Sequence, residues 1–477
     1  MSQENHRTMS LYTATCLVVA NMVGTGVFTS LGFQLAGGLT PFVILMLWLV
    51  GGVCAFCGGV AYAELAAALP RSGGEYHFLA RIFHPSVGFL AGWASVTAGF
   101  AAPVALAAMA FGKYIHHILL TVPNVPELGI FGVAGQLTSG VASPAAFANV
   151  AVTRYAAEVL STTIEHAAAA VALLSITVAM LASARLRQWF QDFSTSLKLL
   201  TIIGFIVVGF LAPAAGSALS PQAGDTARMF SPTFATSLIY VMYAYAGWNA
   251  STYVTSEVRN PSRNVPLSMA CGTVIVTVLY IALNAVFLRV APAADLSDKV
   301  EVGLIAGTHA LGATGGKWMA LLIAGGLLST VGAMQWIGPR VLATMGEDSR
   351  ILRPFSRLSM NGIPIYATLA QTAIVVLMLS TGTFEKVLTY VQFTITLCSA
   401  LAVIGVFVLR QREPALPRPI RAWGYPITPI IFLAVNGWML WNVFIDKPLE
   451  SIAGLVTLLA GLIIFHFSER QVKKKVA

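Results

Sequence analysis

The chemistry this chain offers comes first from peptide groups. Asn21-Met22-Val23-Gly24-Thr25-Gly26-Val27-Phe28 interrupts a long apolar segment with two glycines one residue apart. Apolar residues run from Leu11 to Val23 and resume from Val27 to Leu39, enough to cross a bilayer. Glycine weakens a helix. Hydrocarbon supplies no other partner for a released N–H or C=O, so broken backbone at mid-depth must be buried in protein or line a wet cavity. A second interruption, Tyr243-Ala244-Tyr245-Ala246-Gly247-Trp248-Asn249, opens the second half of the chain.

Half-helix N-termini favour anions and half-helix C-termini favour cations. The N–H groups of Thr25 and Gly26 would start an outer half-helix, and the carbonyls of Met22 and Val23 would end the inner half. Tyr243 and Ala246 would add carbonyls from the second interruption. These ends suit an α-carboxylate and an α-ammonium a few ångströms apart. The rival reading is that the glycines serve close helix packing. Paired interruptions in corresponding positions favour a binding site. A dinucleotide-binding loop is excluded, because no strand precedes the glycines and a third glycine is misplaced.

Lys198 is the one formal charge expected at mid-depth, in Gln191-Asp192-Phe193-Ser194-Thr195-Ser196-Leu197-Lys198-Leu199-Leu200. An ionisable group there is costly and points to function. Burial disfavours the charged amine, so Lys198 could take up and release a proton. Alternatively, a permanent ammonium could stand where a sodium ion would and tie the fifth span to the first and eighth. The bland reading is a lysine snorkelling to the interface. Tyr243 and Trp248 could close over a ligand or be plain core aromatics, and Asn249 sits beside them. Glu64 and Glu75, near the inner mouth, are expected to pair with loop arginines. His77, His84, His116 and His117 read as interfacial, with no further metal ligands around them. No cofactor or metal signature is present.

Composition sets the elements that must hold these residues. The chain has 477 residues, of which 57% are hydrophobic and 10% charged, with mean hydropathy +0.78. An ordinary soluble domain carries about 25% charged residues, and here the apolar residues fall in blocks of about 20, the length of a membrane span. The prediction is an all-α integral membrane protein with twelve transmembrane helices. They cover 10–38, 41–66, 86–118, 166–184, 189–212, 233–258, 266–290, 316–345, 363–381, 385–410, 426–445 and 450–468. The first and sixth are broken. Spans 1–5 and 6–10 form two sets of five, and because five is odd the second set enters from the opposite side, as in an inverted repeat. The division is a first repeat over 10–212, an outer loop over 213–232, a second repeat over 233–411, two further helices within 412–468, a short segment 1–9 and a basic tail 469–477.

The net charge of +9 is spread over connectors and forms no nucleic-acid patch. With both termini in the cytoplasm, inner connectors hold 19 of the 28 positive residues and outer connectors seven, the asymmetry that orients membrane proteins. Residues 120–165 read as a long outer loop and 295–313 as a second one, with a short helix from Glu301 to His309. No removable signal peptide is expected. Cys16, Cys54, Cys57, Cys271 and Cys398 all fall inside spans, which argues against a disulfide framework.

Several stretches together resemble the amino acid–polyamine–organocation (APC) transporter superfamily over roughly residues 10–470. They are Val23-Gly24-Thr25-Gly26-Val27-Phe28, Pro70-Arg71-Ser72-Gly73-Gly74-Glu75-Tyr76, and Tyr245-Ala246-Gly247-Trp248-Asn249 followed by Glu257-Val258-Arg259-Asn260-Pro261-Ser262-Arg263-Asn264-Val265-Pro266. Gly247-Trp248-Asn249, Lys198 and Leu328-Ser329-Thr330-Val331-Gly332 look most like the L-type amino acid transporter branch and its bacterial relatives. The resemblance implies the LeuT fold, a 5+5 inverted repeat with discontinuous helices 1 and 6. It implies substrate held by the backbone of Gly24, Thr25, Gly26, Tyr243, Ala246 and Gly247. It also implies Tyr243 as an outer gate, Asn249 as a link to helix 1, and Lys198 as a link from helix 1 to Ser329, with Thr330 beside it. Unlike the animal members, the outer loop after helix 3 has no cysteine, so no disulfide-linked heavy chain is expected.

The function expected is a plasma-membrane secondary carrier for amino acids, working by alternating access through exchange or proton coupling. No mid-depth carboxylate near the interruptions would hold a cationic side chain, and no arginine an acidic one, so a neutral L-amino acid is the expected cargo. A cationic amino acid or polyamine is the alternative. A sensor would need a signalling domain, and an enzyme would need a nucleophile–base pair or metal cluster at depth. Neither is found in the sequence.

Overall fold

The structure is a computed structural model that describes residues 9–120, 144–181, 184–216, 219–359, 362–379 and 384–476. The segment 1–8 and residues 121–143, the first half of the long connector expected over 120–165, lie outside the described residues. Every described element of regular structure is helical. Among the described residues, ten helices are long and apolar enough to cross a membrane. The expected sixth span corresponds to the shorter helix Pro232–Tyr245 followed by a 3₁₀ helix, Ala250–Glu257. The expected ninth corresponds to Ile365–Leu379.

Local sequence fixes several helix starts. Thr40 and Ser231 each cap a helix whose first residue is proline, accepting from the amides of Val43 and Phe234. Side-chain acceptors there satisfy orphan amides, and proline gives up no needed N–H. Lipid-facing helices leave apolar side chains such as Leu211, Val278 and Leu377 exposed.

One expectation needs correction, and another holds. The connector read as a loop over 120–165 is helical from Pro144, in a 37-residue helix, Pro144–Met180. Its alanine-rich composition suits a helix while lowering its hydropathy, which hid it. The short helix expected from Glu301 to His309 is present at the start of Val302–Asp348, set off from the long helix that follows by a kink at Gly312, where φ is +74°.

The interrupted segments sit at the centre. Helix Leu11–Met22 stops, Val23-Gly24-Thr25 run irregularly, and helix Gly26–Ala36 begins. The chain start is stitched to the second interrupted segment: the Met9 amide donates to the Glu257 carbonyl at 2.9 Å and the Arg259 amide to the Met9 carbonyl at 2.9 Å. On the same side, Arg71 pairs with Glu347 and Asp348, and Arg340 pairs with Glu257.

Candidate functional site

The two interruptions touch. A Cβ on Gly26 would lie 2.6 Å from the Ala244 Cα, and one on Gly247 would lie 2.8 Å from the Asn21 Cβ. Each glycine therefore both interrupts its own helix and admits the other. Gly247 also has φ +101°, a conformation that disfavours any side chain. Close packing and interruption, posed as rivals by the sequence, are here one feature.

The released carbonyls are taken. Met22 accepts from the Gly24 amide at 2.8 Å and from the Tyr280 hydroxyl at 2.6 Å, and the same hydroxyl lies 3.0 Å from the Ala244 carbonyl. Val23 accepts from Lys198 Nζ at 2.6 Å and from Thr330 Oγ1 at 3.0 Å. A carbonyl oxygen has two lone pairs, so Met22 and Val23 are saturated. The amides of Thr25 and Gly26 donate to no backbone carbonyl across the break among the described residues. The anion-favouring end is open and the carbonyl end of the first segment is filled. In the second interruption, Ala246 donates to Tyr243 at 3.1 Å and Ala250 to Gly247 at 3.0 Å.

Around this junction lies a cavity of about 60 Å³. Met22, Gly24, Thr25, Gly26, Tyr243, Ala246, Gly247, Asn249 and Thr330 all line it. The Tyr243 hydroxyl is 3.1 Å from Thr25 Oγ1, joining the two interrupted segments across it. Its lining carries no Asp, Glu, Lys, Arg or His.

Four expected residues stand elsewhere, the first being Val23, whose carbonyl is taken by Lys198 and Thr330. Trp248 points away, edge-on to Tyr62 at 4.6 Å and to Phe432 at 6.3 Å, so it is a core aromatic of the adjoining packing. Lys198 is buried behind the first interruption and donates to Thr330 Oγ1 at 2.8 Å. Ser329 faces the other way and accepts from Ser194 at 3.0 Å. The bond expected to Ser329 is made by its neighbour Thr330. A snorkelling lysine does not describe Lys198, which is 4% exposed.

Sequence reading missed two contributors. Tyr280, fully buried in helix Pro261–Val290, links both interruptions through its hydroxyl. Ser95–Ala101 is a π-helical turn, and its Ser95, Gly99 and Phe100 line the cavity together with Pro103. Proline has no amide to give the carbonyl four residues earlier, and π-turns recur at functional sites. Pro103 was the available signal. Asn249 makes a further link: its side-chain amide donates to Glu75 Oε1 at 3.2 Å.

The inner-mouth carboxylates divide. Glu64 is gripped by Arg410 in two bonds of 2.8 and 2.6 Å, with Arg418 at 3.3 Å. Glu75, expected to behave likewise, has no arginine partner among the described residues. All five cysteines are free, and no group of three His, Cys, Asp or Glu that could hold a metal occurs among the described residues.

Relatives agree with this architecture. The profile of the amino acid permease family matches residues 9–466. The chain is 26% identical to b(0,+)-type amino acid transporter 1 of Mus musculus over 467 residues, covering 96% of this chain and 87% of that one. It is 25% identical to Asc-type amino acid transporter 1 of Mus musculus, over 96% of this chain and 80% of the relative. The same figures describe Large neutral amino acids transporter small subunit 2 of Mus musculus. With a match over nearly its whole length and a helical membrane architecture, the chain belongs to the amino acid permease family.

Proposed function

We propose that this protein is a secondary-active carrier of neutral L-amino acids that works by alternating access in the plasma membrane, with both termini in the cytoplasm. The observation that carries this reading is the uncharged cavity where the two interrupted segments abut. The open amides of Thr25 and Gly26 receive the substrate carboxylate, at the positive end of helix Gly26–Ala36. Because Met22 and Val23 are saturated, the ammonium goes to the carbonyls of Ala246 and Tyr243. Tyr243 closes the outer side of the cavity. A lining without Asp, Glu, Lys, Arg or His favours a neutral side chain, since a buried unpaired charge is expensive.

In this reading the two short helical segments count as spans six and nine, which makes twelve. Residues 10–212 and 233–411 form the LeuT-type inverted repeats, and 412–468 hold the last two helices. The Lys198 ammonium occupies the position of a coupling cation and ties the first interruption to helix Val302–Asp348. The carrier works without a disulfide-linked heavy chain.

Counterflow of labelled amino acids into sealed vesicles containing the purified protein tests this, with a panel of unlabelled competitors. Neutral L-amino acids should drive and compete for counterflow. Competition led by arginine, lysine or polyamines would overturn the neutral assignment. Ligand binding without any counterflow would mark a sensor instead.

A further inference from the structure

Glu75 begins the helix Glu75–Ile82, outside the spans, yet it is only 2% exposed. The glycines of Pro70-Arg71-Ser72-Gly73-Gly74 put it there. Gly73 and Gly74 have φ of +115° and +52°, and a Cβ on Gly74 would meet the Tyr253 ring at 2.4 Å. The turn thus inserts a carboxyl under the second interruption. Its Oε1 accepts from Tyr62 at 2.6 Å, Ser399 at 2.7 Å and Asn249 at 3.2 Å, donors from three separate elements. Its Oε2 accepts from no described residue. One oxygen taking every donor while the other takes none is the pattern of a carboxyl that can carry a proton on the second oxygen.

Among the described residues, no cation answers its charge. The titratable groups facing it are the Tyr62 and Tyr253 phenols and the Cys398 thiol. On the neighbouring elements, Glu64 and Arg410 hold each other, Arg340 holds Glu257, and Arg412 donates to the Ile82 carbonyl. Arg71 engages Asp348, as does Tyr76. His77, brought to about 4 by burial and by Arg71, is neutral. Burial pushes the Glu75 carboxyl up, against the pull of the Tyr62 and Ser399 hydroxyls. Its place in the first helical turn also favours the anion. These opposing influences leave both charge states accessible.

Asn249 connects this carboxyl to the candidate cavity, which it also lines. A second cavity of about 30 Å³ lies beside it, lined by apolar side chains such as Trp248 and Phe432 and by the polar groups of Asn249, Gln392, Ser399 and Asn436. Gln392 Oε1 and Asn436 Oδ1 are buried without a protein partner. A space of this size beside two unpartnered acceptors admits about two waters, a route for a proton between the interruption and Ser399–Glu75.

We propose that Glu75 is a proton-binding site coupled to transport, its charge read by the second interruption through Asn249. As the anion, Glu75 grips Asn249 with a charge-assisted bond, about twice as strong as a neutral one. Protonation at Oε2 leaves Oε1 a neutral carbonyl with two lone pairs for three donors, so the longest bond, from Asn249 at 3.2 Å, is the one released, freeing Gly247 and Asn249 to move. This coupling rests on the carrier reading above, but the occupancy of Glu75 by a proton does not.

Infrared difference spectra of the purified full chain, recorded as pH is raised from mildly acidic to alkaline, should show the loss of a protonated-carboxyl band. That band should be missing from Glu75→Gln. In Tyr62→Phe, and in Ser399→Ala, its midpoint should move to higher pH, because a donor to the anion is gone. A band unchanged in Glu75→Gln, or a midpoint unmoved in the other two variants, overturns the proton site. In sealed vesicles, an inward gradient of one pH unit should drive up to about tenfold accumulation by the wild type at one proton per substrate, and none by Glu75→Gln. Wild-type exchange that ignores the gradient, or equal accumulation by the variant, overturns the coupling. A wild type that moves no amino acid at all sinks the carrier reading, and the infrared titration still decides Glu75.

Discussion

The Lys198 ammonium lies 2.6 Å from the Val23 carbonyl oxygen, and Thr330 completes a triangle with both. Helix Ala184–Leu211 supplies the lysine, helix Val302–Asp348 the threonine, and the interrupted first segment the carbonyl. A released peptide group at depth, which hydrocarbon would leave unpaired, is thereby satisfied by a side-chain amine from a different part of the chain.

Replacing Lys198 by alanine should remove most transport while leaving insertion intact. The lost bond is of the charged kind, worth about 1.5–3 kcal/mol, so uptake in vesicles should fall by one to two orders of magnitude. Uptake at the wild-type level, with protein amounts matched, would count against the role given to Lys198.

Tyr280→Phe removes a single hydroxyl and keeps the ring that packs against Trp48 and Tyr245. The Ala244 carbonyl then loses its side-chain donor, and Met22 keeps only Gly24. A buried group left without its partner costs about 1–3 kcal/mol. The variant should unfold at lower temperature in detergent, and its uptake should drop. An unshifted melting temperature would show that the bridging bond is dispensable.

The glycines of the interruptions should rank by the space around them. Gly247→Ala combines a positive φ with contact to Asn21, and Gly26→Ala drives a methyl into the Ala244 backbone. Gly24→Ala meets a Thr330 methyl at 3.2 Å, which a small shift relieves. Strained backbone of the Gly247 kind costs about 1–3 kcal/mol. Uptake should be lost in the first two variants and partly kept in the third. The reverse order would refute the close approach of the two segments.

What the sequence revealed was local. Both interruptions could be placed because glycine and interrupted hydropathy act within a few residues. The choice between Ser329 and Thr330 could not be made, since neighbours on a helix point about 100° apart and only packing selects one. Tyr280 was invisible for a related reason: a tyrosine within apolar residues reads as core until its hydroxyl finds Met22. Trp248 illustrates the converse, an aromatic beside the cavity that spends its face on Tyr62 and Phe432. The fate of Glu75 depended on a turn whose two glycines steer it away from Arg71, a geometry no spacing rule encodes. The helix from Pro144 is hidden in the sequence because alanine forms helices without being strongly hydrophobic.

The stitch between Met9 and the Glu257–Arg259 strand of backbone has a practical corollary. Any state in which the inner half of the first span parts from the second interrupted segment must break those two bonds, so the amides of residues 9 and 259 would trade hydrogen for deuterium only as often as the two segments separate. In the proposed carrier these two positions would report that opening, readable by mass spectrometry without a label or a substrate.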